Sequence, residues 1–151
     1  MRIAKLRDAA SAARLLREFN VEFGCAAPDL DALTRRYEKL ISSGAGFVVL
    51  ADGFQGFAQV TLRPTPYSDG PLAVLDELYV VPEHRSRGIG SRLLSRVETE
   101  LRERGCEEMH ISVDAGDVDA RRFYERHGYS KTDPETGKDM YLYVREFGRG
   151  A

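Results

Sequence analysis

Residues 80–94, VVPEHRSRGIGSRLL, leave the chain few ways to fold. An apolar run stops at Pro82, a polar turn follows, and Gly88 and Gly90 stand where a helix has to begin. That helix is marked by Ile89, Leu93, Leu94, Val97 and Leu101, which recur on one stripe with charges opposite and reach to about Arg104. A strand that turns directly into an amphipathic helix is the first half of a crossover over a sheet. Glycine costs a helix interior about 1 kcal/mol against alanine. Two glycines at the entrance, flanked by Arg85 and Arg87, therefore need a reason.

A helix N-terminus carries unsatisfied N–H groups and a partial positive charge. If the turn before it lacks side chains, a phosphate can sit directly on those amides. Gly88 and Gly90 remove the steric block, and Arg85 and Arg87 add charge. An ordinary strand-to-helix turn, with glycines for tight packing, accounts for RSRGIG alone equally well. Two better-known glycine motifs do not: a dinucleotide fingerprint would need a third glycine where Leu93 stands, and a P-loop would need Gly-Lys-Ser/Thr.

The rest of the chain sets that turn in a mixed α/β pattern. Residues 1–6 read as a short strand. Asp8 stands in the N-cap position of a helix that carries Ala9, Ala12, Ala13 and Leu16 on one face to about Asn20. A second amphipathic helix runs from Asp29 through Leu30, Leu33, Tyr37, Leu40 and Ile41 to Ser42, Ser43 and Gly44. FVVLA and FQGFAQVTL are strands joined by the hairpin signal Asp52-Gly53. LAVLDELYVV is a strand ending at Pro82, and EMHISV follows the long helix and its terminating Gly105. Ala120, Phe123, Tyr124 and His127 form one face of a short helix closed by Gly128, and KDMYLYVR alternates as a last strand. The expected architecture is one domain over residues 1–151, a central mixed, twisted sheet of six to seven strands flanked by about four helices.

Composition enters through what it excludes. A net charge of −2 over 151 residues is not that of a domain whose main task is gripping nucleic acid. No apolar run approaches a membrane span, and MRIAKLRDAA has no secretory h-region. Cys25 and Cys106 match no metal or redox spacing and read as unpaired thiols of a cytoplasmic protein, with no metal required.

LDELYVVPEHRSRGIGSRLL followed by DVDARRFYERHGY resembles the GNAT superfamily of acyl-CoA-dependent N-acyltransferases. The family's first signature, Arg/Gln-x-x-Gly-x-Gly/Ala, is met by Arg85, Gly88 and Gly90. Its second, Phe-Tyr-Glu-x-x-Gly-Phe/Tyr, is met by Phe123, Tyr124, Glu125, Gly128 and Tyr129. The two stand in the family's order, with the expected helix and strand between them. The resemblance is clear in the second half of the chain; the first half matches in its pattern of elements. It implies that acetyl-CoA is the co-substrate, its pyrophosphate held by the backbone of Arg85, Ser86, Arg87, Gly88, Ile89, Gly90 and Ser91. Leu78, Tyr79, Val80 and Val81 would pair with the pantetheine arm as an added strand would. Many members carry asparagine where this chain has Asp117, which accepts hydrogen bonds but donates none when ionised.

Acetyl transfer from a thioester to an amine needs a base for the amine proton and an acid for the leaving thiolate. The resemblance puts the Tyr124 hydroxyl beside the CoA sulfur as that acid. Asp76 and Glu77 interrupt an apolar strand, and alternation sends one of them to each face. Glu77 is the expected base, with Asp76 in reserve. Exposed carboxylates at a strand edge would leave the same trace. Glu18, Glu22 and Asp114 add acids that suit a cationic acceptor. The three histidines, His84, His110 and His127, read as structural. The sequence thus points to transfer onto a primary amine of a small, cationic, polyamine- or aminoglycoside-like molecule, with nucleic acid and membrane excluded as partners and a homodimer left open. A non-catalytic CoA-binding sensor or assembly domain and the acetylation of a protein amine are the alternatives.

Overall fold

The computed structural model describes residues 1–148. The chain divides into two compact units, Met1–Ile111 and Ser112–Ala151. Residues 149–151 of the expected domain lie outside the described residues.

In the first unit the order is β1 (Arg2–Ile3), α1 (Ala9–Glu22), α2 (Leu30–Ser43), β2 (Gly46–Leu50), β3 (Gly56–Arg63), β4 (Leu72–Val80), α3 (Ile89–Glu103) and β5 (Met109–Ile111). The five strands form one sheet in chain order. The pairings β1–β2, β2–β3 and β3–β4 are antiparallel, and β4–β5 is parallel, as a crossover through α3 requires. Gly53 takes φ 62° in the β2–β3 connection, a left-handed conformation that Asp-Gly supplies cheaply.

Alternation sorts the core into two layers. Val48, Leu50 and Phe57 of one face join Ala9, Ala12, Ala13 and Leu15 of α1 and Leu33 and Tyr37 of α2 in one buried cluster. On the other face, a Cβ added at Gly56 would press on Leu93 at 3.2 Å, so α3 lies there, with Leu93, Leu94 and Val97 fully buried. α1 runs two residues further than its apolar spacing suggests. Asp8 sits in the cap position but does not cap α1 with its side chain. Its carboxylate turns back to accept from Lys5 N–H at 2.8 Å and from both terminal nitrogens of Arg2 at 2.6 and 2.9 Å. Those bonds hold the buried Asp8 carboxyl down at about 2.

The second unit holds α4 (Val118–Arg126) and the isolated bridge Thr132↔Asp139. Asp117 caps α4 by accepting from Ala120 N–H at 3.1 Å. Two expectations are corrected here. The sheet has five strands among the described residues, not six to seven, and KDMYLYVR forms no strand. Tyr141, Leu142, Tyr143 and Val144 are exposed. Alternating apolar and aromatic residues signal strand propensity, but a strand exists only where a neighbour completes its ladder, and propensity does not specify the neighbour.

Candidate active site

The turn between β4 and α3 is shaped by two left-handed residues. Ser86 and Gly88 both take positive φ, 62° and 77°. Alternating left-handed residues of this kind turn successive N–H groups to one side. Gly88 is the N-cap of α3 and brings no side chain to it. α2 and α4 differ, since Asp29 and Asp117 place carboxylates on their N-termini, whereas α1 shares with α3 an N-cap without a side-chain hydrogen bond. At α3 the N-cap makes no side-chain hydrogen bond, so the positive end of the helix dipole meets no capping carboxylate there. Arg87 lies beside this turn, its guanidinium 3.5 Å from His84 Nδ1. Arg85 is otherwise engaged. Its Nε donates to the Val80 carbonyl at 2.9 Å, its Nη2 lies 2.7 Å from the Glu22 carboxylate, and its guanidinium sits 5.8 Å from the Tyr79 ring centre. Arg85 therefore ties the turn to the ends of β4 and α1.

β4 and β5 pair only from Ala73↔Met109 to Leu75↔Ile111. Beyond Leu75 the β5-facing edge of β4, through Leu78, Tyr79 and Val80, has no ladder partner among the described residues. Val81 N–H donates to Gln55 O at 2.9 Å, which keeps the opposite edge zipped to the β2–β3 side of the sheet. An extended chain carrying amide groups fits that open edge.

The two strand carboxylates are placed by an irregularity. β3 and β4 pair Gln59↔Glu77 and then Val60↔Leu75, so Asp76 is an extra residue bulged out of β4. The expectation that alternation separates Asp76 from Glu77 is thereby corrected. Asp76 accepts from Thr61 Oγ1 at 2.8 Å, and Glu77 lies opposite Gln59, two residues from Thr61 on the same face of β3. Tyr37 of α2 reaches this face and donates its hydroxyl to Gln59 Oε1 at 2.5 Å. Burial, then the neighbouring Asp76 charge, lifts Glu77 to about 7. Burial also raises Asp76, but hydrogen bonds from Thr61 and Gln59 oppose it. Sequence reasoning missed Tyr37, Gln59 and Thr61; the polar pair at alternate positions of FAQVTL was the available signal.

Two residues along the same face, the buried Tyr79 stacks on Phe19 at 4.9 Å and donates to Glu22 at 3.3 Å. Burial and the charges of Glu22 and Glu18 push its phenol up to about 12. Glu22 is thus shared between Arg85 and Tyr79. Tyr124 and Asp117 belong to the second unit. Tyr124 is half-buried on α4, edge-on to Phe123 at 5.2 Å and to Tyr129 at 6.1 Å. Asp114 is exposed in the same unit. His110 is exposed rather than set among apolar residues, its ring 2.6 Å from Glu108. Among the described residues no group of three His, Cys, Asp or Glu is placed to hold a metal, and no helix is long and apolar enough to cross a membrane.

The chain is similar to known proteins. Residues 12–129 match the family described as Acetyltransferase (GNAT) family. An uncharacterized N-acetyltransferase of Bacillus subtilis is 28% identical over 134 residues, covering 87% of this chain and 89% of its own. An aminoglycoside N(6')-acetyltransferase type 1 of Stenotrophomonas maltophilia is 32% identical over 114 residues, 70% of this chain and 74% of its own. The crystal structure of a putative acetyltransferase from Arthrobacter sp. FB24 superposes with a TM-score of 0.90 at 40% identity, covering 97% of this chain and 94% of that one. The chain is an acyltransferase and belongs to the GNAT acetyltransferase family, which uses acetyl-CoA.

Proposed function

We propose that this protein transfers the acetyl group of acetyl-CoA to a primary amine of a small, cationic molecule, polyamine- or aminoglycoside-like, with Glu77 as general base and Tyr124 as general acid. The observation that carries the reading is the pair Asp76 and Glu77 on one face of β4, with Glu77 lifted to about 7. A lysine-like ammonium sits near 10.4, so lifting the carboxyl from its ordinary value of 4.5 narrows the proton-transfer gap from about six units to about three. Asp76, with Glu18 and Glu22 further along, supplies the negative field that would hold an ammonium. The aminoglycoside acetyltransferase similarity supports the same class of acceptor.

The cradle of Arg85, Ser86, Arg87, Gly88, Ile89, Gly90 and Ser91 would take the CoA pyrophosphate, and the open β4 edge at Leu78, Tyr79, Val80 and Val81 the pantetheine. Asp117, occupied as a helix cap, would accept from a pantetheine amide only with its second oxygen. The amine nitrogen attacks the thioester carbonyl and loses its proton to Glu77, directly or through water. The C–S bond then breaks, and Tyr124 gives its phenolic proton to the leaving thiolate. The family match spans both compact units, which supports treating residues 1–151 as one catalytic domain. The two free cysteines fit a reducing cytoplasm as the place of action. Release of free thiol from acetyl-CoA, measured over a panel of amines with wild type and Glu77→Gln, tests the reading. Cationic amines should accelerate release, and Glu77→Gln should lose most of that acceleration at pH 7.

A further inference from the structure

The base assignment leaves open which of two neighbouring carboxyls on one face carries the proton: their titrations are coupled, and something must order them. We propose that Tyr37 and Gln59, together with Thr61, are positioning residues that make this decision, holding Asp76 as the anion that meets the acceptor's ammonium and leaving Glu77 to take the proton. The inference rests on the acceptor site proposed above.

The geometry runs outward from the core. Tyr37 of α2 is 4% exposed and packs in the core cluster formed by α1, α2 and the sheet. It donates to Gln59 Oε1. A phenol this deeply buried, facing two carboxylates, stays neutral and keeps its proton to give, and its ionisation is pushed far above the ordinary range by burial, Glu77 and Asp76. With Oε1 committed to Tyr37, the Gln59 NH₂ is turned the other way, toward the acids. Its hydrogen bond favours ionised Asp76, as does the one from Thr61 Oγ1 at 2.8 Å. Glu77 is set instead by burial and by the Asp76 charge. The proton leaving the acceptor nitrogen therefore ends on a Glu77 oxygen, and Asp76 remains charged beside it. Tyr37 is the titratable group facing the pair from α2; further along the face stand Tyr79 of β4, Glu18 and Glu22 of α1, and Arg85.

Carboxyl-carbon NMR titration of the ¹³C-labelled full chain reads this without any acceptor. In wild type, Asp76 should titrate below Glu77. Tyr37→Phe keeps the ring in the core and deletes the donor, which frees the Gln59 amide to turn. Thr61→Val removes the second donor at a position outside the buried core, so one variant remains informative if the other folds poorly. Each should raise Asp76 by at least about half a pH unit while Glu77 moves less. An Asp76 titration unchanged in both folded variants, or one lying above Glu77 in wild type, overturns the inference. The acceptor site itself is tested apart, by acetylation of spermidine and kanamycin with Glu77→Gln: wild-type turnover there overturns the underlying reading whatever the titration shows.

Discussion

Asp76 and Glu77 are consecutive residues of β4, and both turn to the face that carries Gln59, Thr61 and Tyr37. The extra residue in the ladder at this point does it: Gln59 pairs with Glu77, Val60 with Leu75, and Asp76 is left over. A bulge costs ladder regularity and re-aims side chains. Here it brings two carboxyls together, and burial, with the Asp76 charge added, lifts Glu77 into the range where a base works near neutral pH.

Glu77→Gln keeps the shape of the side chain and cannot accept a proton. Turnover at pH 7 should fall at least tenfold, toward the roughly 10²–10⁴-fold worth of a general base. Raising the pH should recover part of the loss, because more of the amine then arrives deprotonated. Steady-state rates from pH 6 to 10 check this. An impaired Asp76→Asn beside a normal Glu77→Gln would exchange the two roles.

The same carboxyl has a stability signature. Its folded-state value lies above its unfolded one, so the folded protein binds the extra proton, and stability present below about 4.5 is lost as pH rises through about 7. Glu77→Gln should therefore melt higher than wild type at pH 8 and nearly level with it at pH 4. Thermal melts at the two pH values read the difference; equal melting points at pH 8 would show that Glu77 ionises without strain.

Asp8 predicts the opposite slope. Its bonds to Arg2 hold it down at about 2, so its contribution is present above about 4 and lost as pH falls toward 2. Arg2→Met leaves a buried carboxylate without its main donor. It should destabilise the fold at pH 7 and do so much less at pH 2. Urea unfolding at both pH values checks the sign.

The anion cradle is best tested at Gly90. Gly88 has φ 77°, so a side chain there strains the backbone itself, whereas Gly90 lies within α3. Gly90→Val should leave the melting temperature close to wild type and weaken CoA binding at least tenfold, about 1.4 kcal/mol. Calorimetric titration with CoA measures it, and an unchanged affinity in the folded variant would remove the phosphate from this turn.

What could be read from the sequence was mostly local. Asp52-Gly53 announced the hairpin, Gly105 the end of α3, and the Ile89–Leu93–Leu94–Val97–Leu101 stripe its buried face, because each depends on a few neighbouring residues. The start of α3 at Gly88 and Gly90 was legible too, because the end of the apolar run at Pro82 and the glycines mark it locally. The bulge at Asp76 was not: it depends on how β3 and β4 pair, and neither strand alone carries that information. Tyr37 looked like one more apolar helix position until Gln59 lay opposite it. KDMYLYVR had the alternation of a strand without the neighbour that makes one.

Acetyl transfer to an amine shows itself as free thiol released from acetyl-CoA. Wild-type protein should release thiol in step with N-acetylated product when a cationic amine such as spermidine or kanamycin is present, saturably in the amine. Tyr124→Phe, which deletes only a hydroxyl from α4, should bind acetyl-CoA as wild type does and turn over at least tenfold more slowly. If acetyl-CoA binds but no amine raises thiol release above the blank, the protein is a CoA-binding domain that does not carry out this transfer.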